Sequence, residues 1–313
     1  MLTYLARRLA FAIATVLAAS VVSFLLVHAS GSTPGEITAG SGASPAQVAA
    51  ENLRLGWDRP LVAQYLSWLG GAVRGNLGVS LIDGHNIWSD LMSRLPVTAS
   101  IAIFATLLSG ILGVAIGVAA AVRGGLLDRA VTVGSGVALS LPQFWVGILL
   151  VYLIAIKAHL LPATGYVAFG ASPGQYLQSL ALPVITLTVT GAAIIARTTR
   201  TGMISALRQE HIRTLHALGT PPWRIRYIHA LRFAGAPVVS VLGIQFIALF
   251  GGSVVIEQLY ALPGLGQAAS AAIGTNDLPA VQGVVIIATV VVVITNLVLD
   301  LVLGALDPKV RTA

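Results

Sequence analysis

LPAVQGVVIIATVVVVITNLVL (278–299) is a run of 22 residues without a formal charge, bounded by Asp277 and Asp300. A helix needs about 20 apolar residues to cross the hydrocarbon of a bilayer, and one charge at its centre costs about 3 kcal/mol. The stretch therefore reads as a membrane-crossing helix, and the gaps between charges locate others outward along the chain. There are 27 uncharged residues between Arg8 and Glu36, 28 between Arg94 and Arg123, and 27 between Arg129 and Lys157. A further 39 lie between Lys157 and Arg197, and 24 between Arg232 and Glu257. The gap of 39 is interrupted by Pro162, Gly165, Gly170, Pro173 and Gly174, so it supplies one span near Leu180 to Ile195 after a loop. Six spans result, near 9–28, 96–122, 131–156, 180–196, 234–256 and 280–303, within a single all-α membrane domain (1–313).

Composition agrees. A chain of 313 residues suggests two soluble domains by length alone. Apolar residues make up 56% and charged residues 9%, however, against about 25% charged in a soluble domain. Low charge with high hydrophobicity also excludes a disordered chain. The absence of cysteine removes disulfide scaffolds, thiolate zinc sites and cysteine nucleophiles. The net charge of +7 could suggest nucleic acid, but membrane proteins gather Lys and Arg on cytoplasmic loops. With the N-terminus inside, thirteen bases face the cytoplasm: Arg7, Arg8, Arg123, Arg129, Arg197, Arg200, Arg208, Arg213, Arg224, Arg226, Arg232, Lys309 and Arg311. Five face outward: Arg54, Arg59, Arg74, Arg94 and Lys157. Both termini are expected inside. Arg7 and Arg8 followed by an apolar run could mark a signal peptide, but Leu9 to Val27 exceeds the usual apolar core of 7–15 residues.

Two connections are longer than turns require. The outer loop (29–95) begins with a flexible stretch rich in Gly, Ser, Ala and Thr (29–46) and is too long to lack structure of its own. Ser44-Pro45 reads as an N-cap with proline at the first helical position. After Pro60, the residues Leu61, Tyr65, Leu66, Trp68, Leu69 and Val73 form an apolar stripe. That stripe fits an interfacial helix with Trp57, Trp68 and Trp88 as belt residues, or a docking surface for an extracytoplasmic partner.

The cytoplasmic connection (197–233) carries seven arginines against one acid, Glu210. Its pattern predicts two short helices. The first runs through Ile204, Leu207, His211, Ile212 and Leu215 and ends at Gly219 in the left-handed conformation. Thr220 would cap the second, with Pro221 at its first position and Trp223, Tyr227 and Leu231 on one face. Positive-inside anchoring explains the arginines; the capped turn and apolar positions instead suit insertion into a partner's groove.

The spans lack the ionisable residues at membrane depth that ion coupling requires. Glu257 lies at the outer end of the fifth span and Asp300 near the inner end of the sixth. His28, at the outer end of the first, reads as a solvated interfacial histidine. Gln143, Gln245 and Asn296 are the large polar residues within spans, fitting interhelical hydrogen bonds or a place in a substrate path. Gly110, Gly113 and Gly117 share a stripe that allows close helix packing. Pro142 predicts a kink in the third span. The six histidines form no ligand set, and neither a phosphate loop nor a nucleophile–base pair is present. Without catalytic residues, transport energy would enter from another subunit through the hairpin.

Several runs resemble the permease subunit of dipeptide/oligopeptide-type ABC importers, a binding-protein-dependent transport family. They are YLARRLAF (4–11), LGWDRPLVAQYLSWLGGAVRGNLGVSL (55–81), SLPQFWVGILL (140–150), LLPATGY (160–166), LPVITL (182–187), HIRTLHALG and HALRFAGAP (211–219, 229–237), GGSVVIEQLYALPGLGQ (251–267), PAVQG (279–283) and ALDPKVR (305–311). The resemblance implies a type I importer permease in a bacterial cytoplasmic membrane, with the cytoplasmic hairpin as coupling helix. The general coupling motif reads Glu-Ala-Ala, three residues, then Gly. Anchored on Gly219, its first positions here are Arg213, Thr214 and Leu215, and the acid is absent, as is usual in the peptide branch. Glu210, Arg213, Thr214, Leu215, His216 and Gly219 are the implied contacts to the ATPase. The implied machine adds a second homologous permease, two ATP-binding domains that hold ATP and Mg, and an external peptide-binding protein, all within membrane lipid. This chain itself would be non-catalytic and bind no cofactor, metal or nucleic acid. Nickel-chelate and glutathione importers use closely similar permeases. A self-contained secondary transporter is the reading from another class, and a membrane enzyme a third.

Overall fold

The computed structural model describes residues 2–29, 31–40 and 42–306. Lys309, Arg311 and most of the closing ALDPKVR run lie outside the described residues. Regular structure among the described residues is helical, apart from one antiparallel bridge between Val79 and Asn86. Five helices are long and apolar enough to cross a membrane: Ala6–Ala29, Ile87–Arg123, Pro173–Leu207, Pro222–Leu259 and Leu278–Gly304. A sixth candidate is a pair, Gly125–Ser140 and Gln143–Lys157, bent by 98°.

The chain divides into two compact units. The first comprises residues up to Thr98 together with Pro263–Ile294. It contains α1 (Leu2–Ala29), the short helices α2 (Pro34–Ala39), α3 (Pro45–Leu55) and α4 (Leu61–Ala72), and the beginning of α5 (Ile87–Arg123). The later segment adds α12 (Leu265–Gly274) and the first part of α13 (Leu278–Leu306). The second unit comprises Ala99–Leu262 and the residues from Thr295 on. It holds the rest of α5, then α6 (Gly125–Ser140), α7 (Gln143–Leu150, continued as a π-turn over Val151–Lys157) and α8 (Pro173–Leu207). Next come α9 (Glu210–Ala217), α10 (Pro222–Arg224, continued as a π-turn over Ile225–Ala230) and α11 (Leu231–Leu259).

Capping chemistry sets the short helices of the first unit. Ser44 and Gln47 form a reciprocal capping box at α3, with Pro45 at the first helical position, as the sequence indicates. The stretch before it was expected to be flexible but contains α2, capped by a second box between Thr33 and Glu36. Helix α3 ends on Gly56 at φ +72°, where the Gly56 N–H reaches Leu53 O and the Trp57 N–H reaches Asn52 O. Those paired bonds are the Schellman stop, which favours glycine because a Cβ is strained there. Asn52 binds α2 through its side chain, accepting from Gly35 N at 2.8 Å and donating to Thr33 Oγ1 at 3.2 Å. His28 is not the solvated group expected. Its ring stacks on Trp57 at 4.0 Å, and its Nε2 lies 3.0 Å from Gln64 Oε1.

In the second unit α8 is the axis, packed by α11, α6 and α7. The glycine stripe of α5 meets it closely. A Cβ at Gly113 would sit 2.6 Å from Ile195 Cβ, and one at Gly117 2.5 Å from Ala196 O. Close packing replaces the hydrophobic effect as the force between helices in lipid, so these glycines hold α5 on α8. The expected kink at Pro142 is a full break. Leu141 is extended (ψ 129°) because the residue before a proline avoids the helical region, and Pro142 (ψ 135°) starts α7 afresh. Asp128 of α6 accepts a two-pronged bond from the Arg200 guanidinium of α8.

Candidate functional site

The connection between α8 and α11 contains the residues singled out for coupling. Helix α8 runs on to Leu207, so Ile204 and Leu207 are its last turn and not the start of a separate short helix. The separate helix is α9 alone, eight residues from Glu210 to Ala217. Ile212 is fully buried and Leu215 half-buried, while Glu210, His211, Arg213, Thr214 and His216 are exposed. One apolar side chain thus seats α9, and its polar face is left outward. Packing of α9 is against the π-turn 225–230, where Ile225 is also buried.

The turn after α9 is a second Schellman motif. Gly219 has φ +72°, its N–H reaches His216 O at 3.0 Å, and the Thr220 N–H reaches Leu215 O at 3.0 Å. The expected cap at Thr220 is displaced by one residue. Pro221 takes the N-cap position with ψ 142° and no side-chain bond, and Pro222 begins the helix. Two successive prolines shift the start because the second is preorganised for the first helical position and forces the first out of the helical region. From there the helix continues unbroken to Leu259, so the second short helix is the opening of a long one. Trp223 and Tyr227 are exposed on it, whereas Leu231 packs inward.

Beneath this turn lies an apolar cluster of Val118, Met203, Ala206, Ala230 and Ala234, with Leu207 and Leu231 against it. It ties the ends of α5, α8 and α11 to the segment that carries α9. The approach is close, since a Cβ at Gly202 would sit 3.0 Å from Ala234 Cβ. Of the seven arginines in 197–233, Arg200 is the one that forms an ion pair among the described residues; the other six are exposed. The segment therefore presents a cationic outer face over an apolar anchor.

The polar span residues are not brought into one cluster. Gln245 is buried on α11 beside α8, its Nε2 3.4 Å from where a Gly191 Cβ would lie. Ser109 of α5 borders the same glycine, and its hydroxyl has no partner. Gln143 is the half-buried first residue of α7, and Asn296 is exposed on α13. Among the described residues no hydrogen bond joins Gln143, Gln245 and Asn296, and no group of three or more His, Cys, Asp or Glu could hold a metal.

Sequence reasoning missed two buried polar knots. Glu257, assigned to the outer end of a span, is completely buried and accepts from Ser253 Oγ at 2.9 Å. The i, i+4 spacing of Ser253 and Glu257 on one helix face was the available signal. Tyr260 Oη lies 2.7 Å from Thr186 Oγ1 and 3.3 Å from Gly147 O, joining α11, α8 and α7. That knot has no sequence signature, because its members are 74 and 113 residues apart.

Comparison with known proteins follows the same outline. Residues 113–312 match the family described as binding-protein-dependent transport system inner membrane component, and residues 1–102 match the N-terminal region described for such membrane components. The chain is 35% identical over 309 residues to a probable peptide ABC transporter permease, y4tP, of Sinorhizobium fredii, covering 98% of this chain and 99% of that one. It is 34% identical to the di/tripeptide permease DppB of Pseudomonas aeruginosa and 32% identical to the dipeptide permease DppB of Escherichia coli K12, covering 99% of each chain in both cases. The fold is similar to a chain in an inward-facing structure of the MetNI methionine ABC transporter, with a TM-score of 0.56 and 20% identity, over 69% of this chain and 96% of that one.

Proposed function

The chain belongs to the binding-protein-dependent transport system inner membrane component family, and on that footing we propose that it is the transmembrane permease subunit of an ATP-driven importer of di- and oligopeptides. The observation that carries this is end-to-end similarity to peptide permeases. The chain works in a bacterial cytoplasmic membrane with both termini inside. It pairs with a second homologous permease, two ATP-binding domains and an extracytoplasmic peptide-binding protein. ATP and Mg are held by the ATPases; this chain supplies the path and the coupling contact.

The geometry of α9 supports a coupling role. Its exposed residues Glu210, Arg213, Thr214 and His216, with the turn at Gly219, form the face offered to an ATPase groove. Ile212 anchors the opposite face, so force on α9 passes into the π-turn 225–230 and the cluster around Met203 and Ala234. Closure of the ATPases then moves the ends of α5, α8 and α11 and turns the path outward. Gln245 is the best-placed path residue, and Gln143 and Asn296 extend the path along α7 and α13.

Reconstitution into liposomes with the ATPases and binding protein tests the reading. Uptake of a labelled dipeptide should require ATP and persist when the proton gradient is dissipated; uptake without ATPases that collapses with the gradient would overturn it. Arg213→Glu should reduce co-purification of the ATPases several-fold, since a charge at a contact rim is reversed. Unchanged recovery removes Arg213 from the contact.

A further inference from the structure

Helix α4 contains no buried residue, and Pro60 to Val73 is an uncharged stretch of 14 residues between Arg59 and Arg74. Such a stretch is too short to cross a bilayer, and without buried residues it is not a core helix. The apolar stripe read from its sequence is divided in the structure. Gln64, Tyr65 and Trp68 are half-buried and turn toward the rest of the first unit. Val62, Leu66 and Val73, spaced by four and seven, share an outward flank and are between 59% and 81% exposed. Ala63, Ser67 and Gly70 form a second exposed flank beside it, without a large apolar side chain.

The depth of the packed face says what covers the apolar flank. Gln64 Oε1 lies 3.0 Å from Nε2 of His28, the next-to-last residue of α1. The Tyr65 ring meets Phe24 edge-on at 5.4 Å, and its Oη lies 2.8 Å from Ser20 Oγ. Ser20 Oγ donates to Leu17 O, so the Tyr65 hydroxyl is the donor in that pair. Phe24 and Ser20 lie five and nine residues inside the end of the candidate span Ala6–Ala29. At 1.5 Å per residue these depths are roughly 8 and 14 Å, within a hydrocarbon half-thickness of about 15 Å. At the same level α1 exposes Val21, Val22, Leu25 and Leu26, in a span that is only 22% buried. A water-soluble partner does not reach that level, whereas acyl chains fill it.

We propose that α4 is a membrane-interfacial helix. Val62, Leu66 and Val73 contact the acyl chains of the leaflet at the C-terminal end of α1, and Ala63 and Ser67 face headgroups and water. The burial of about 5–10 Å typical of such helices agrees with the level of Phe24. This placement decides between the two roles open to the stripe, against a docking surface for an extracytoplasmic protein. It depends on the chain crossing a membrane and not on what is carried.

The chain has no cysteine, so one introduced thiol is the only thiol on it. The test compares Val62→Cys, Leu66→Cys and Val73→Cys with Ala63→Cys and Ser67→Cys in the assembled transporter in liposomes. All five positions are exposed, so the variants should assemble. A membrane-impermeant maleimide should modify the first three about tenfold more slowly, because the reacting thiolate is disfavoured in apolar surroundings. Adding the binding protein should leave that ratio unchanged. A benzophenone attached to the Leu66→Cys thiol before reconstitution should, on illumination, add the mass of one phospholipid to this chain. Equal reactivity of the five thiols overturns the proposal. So does protection of Val62→Cys, Leu66→Cys and Val73→Cys only when the binding protein is present, or a benzophenone cross-link from position 66 to another subunit.

Discussion

Residues 31–86 and residues 208–221 both connect long helices, yet they are held by different forces. The first stretch is fastened by polar side chains: two capping boxes, the Asn52 bridge to α2, the His28–Gln64 bond, and Ser80 Oγ donating to Asp277 Oδ2 at 2.5 Å. The second has one glycine stop, one buried isoleucine and a polar face without side-chain partners beyond itself. A segment fixed by many directional bonds has one geometry. A segment held by a single apolar contact can be gripped and moved by something else, which suits a coupling element and would not suit a rigid site.

The sharpest way to break this contrast is Gly219→Pro. Proline cannot adopt φ +72° and would lose the N–H to His216 O, so the turn fails. Peptide-stimulated ATP hydrolysis and uptake should fall to background while the protein still inserts; normal coupling would show that the turn transmits nothing. Next in size is Asp277→Ala, which removes the buried acceptor for Ser80 Oγ and the Leu81 and Ala280 N–H groups. A loss of about 3 kcal/mol is expected, read as a lower melting temperature of the purified complex. Ile212→Ala should cost less, about 2 kcal/mol at the low end for a buried isoleucine because α9 can settle at the surface. Its effect should appear in transport more than in melting, and the reverse outcome would make α9 a structural element. Ser44→Ala, losing one cap, should cost about 1 kcal/mol and leave uptake unchanged.

Much of this was legible in the sequence wherever the governing force is one-dimensional. Gaps between charges marked the long helices because a charge is costly in hydrocarbon whatever it packs against. Ser44-Pro45 and Gly219 marked helix ends because caps are local. The Thr33 box escaped notice inside a Gly- and Ser-rich run, although Thr33 and Glu36 have the required spacing. The break at Pro142 exceeded a kink because nothing in the sequence says whether neighbours will straighten a proline helix. Tyr260 and Thr186 could not have been paired at all. They lie 74 positions apart, and a bond between hydroxyls on two helices is visible only once the fold has joined them.

The glycine stripe on α5 has a consequence for motion. With Gly113 pressed on the Ile195 side chain and Gly117 on Ala196 O and Thr199 Cβ, α5 and α8 have little room to slide past each other here. This stretch of the two helices is expected to move together. A further place to flex within this unit is the Leu141–Pro142 break, where the helix is interrupted, and substitutions there should alter the rate of the transport cycle without altering which peptide is carried.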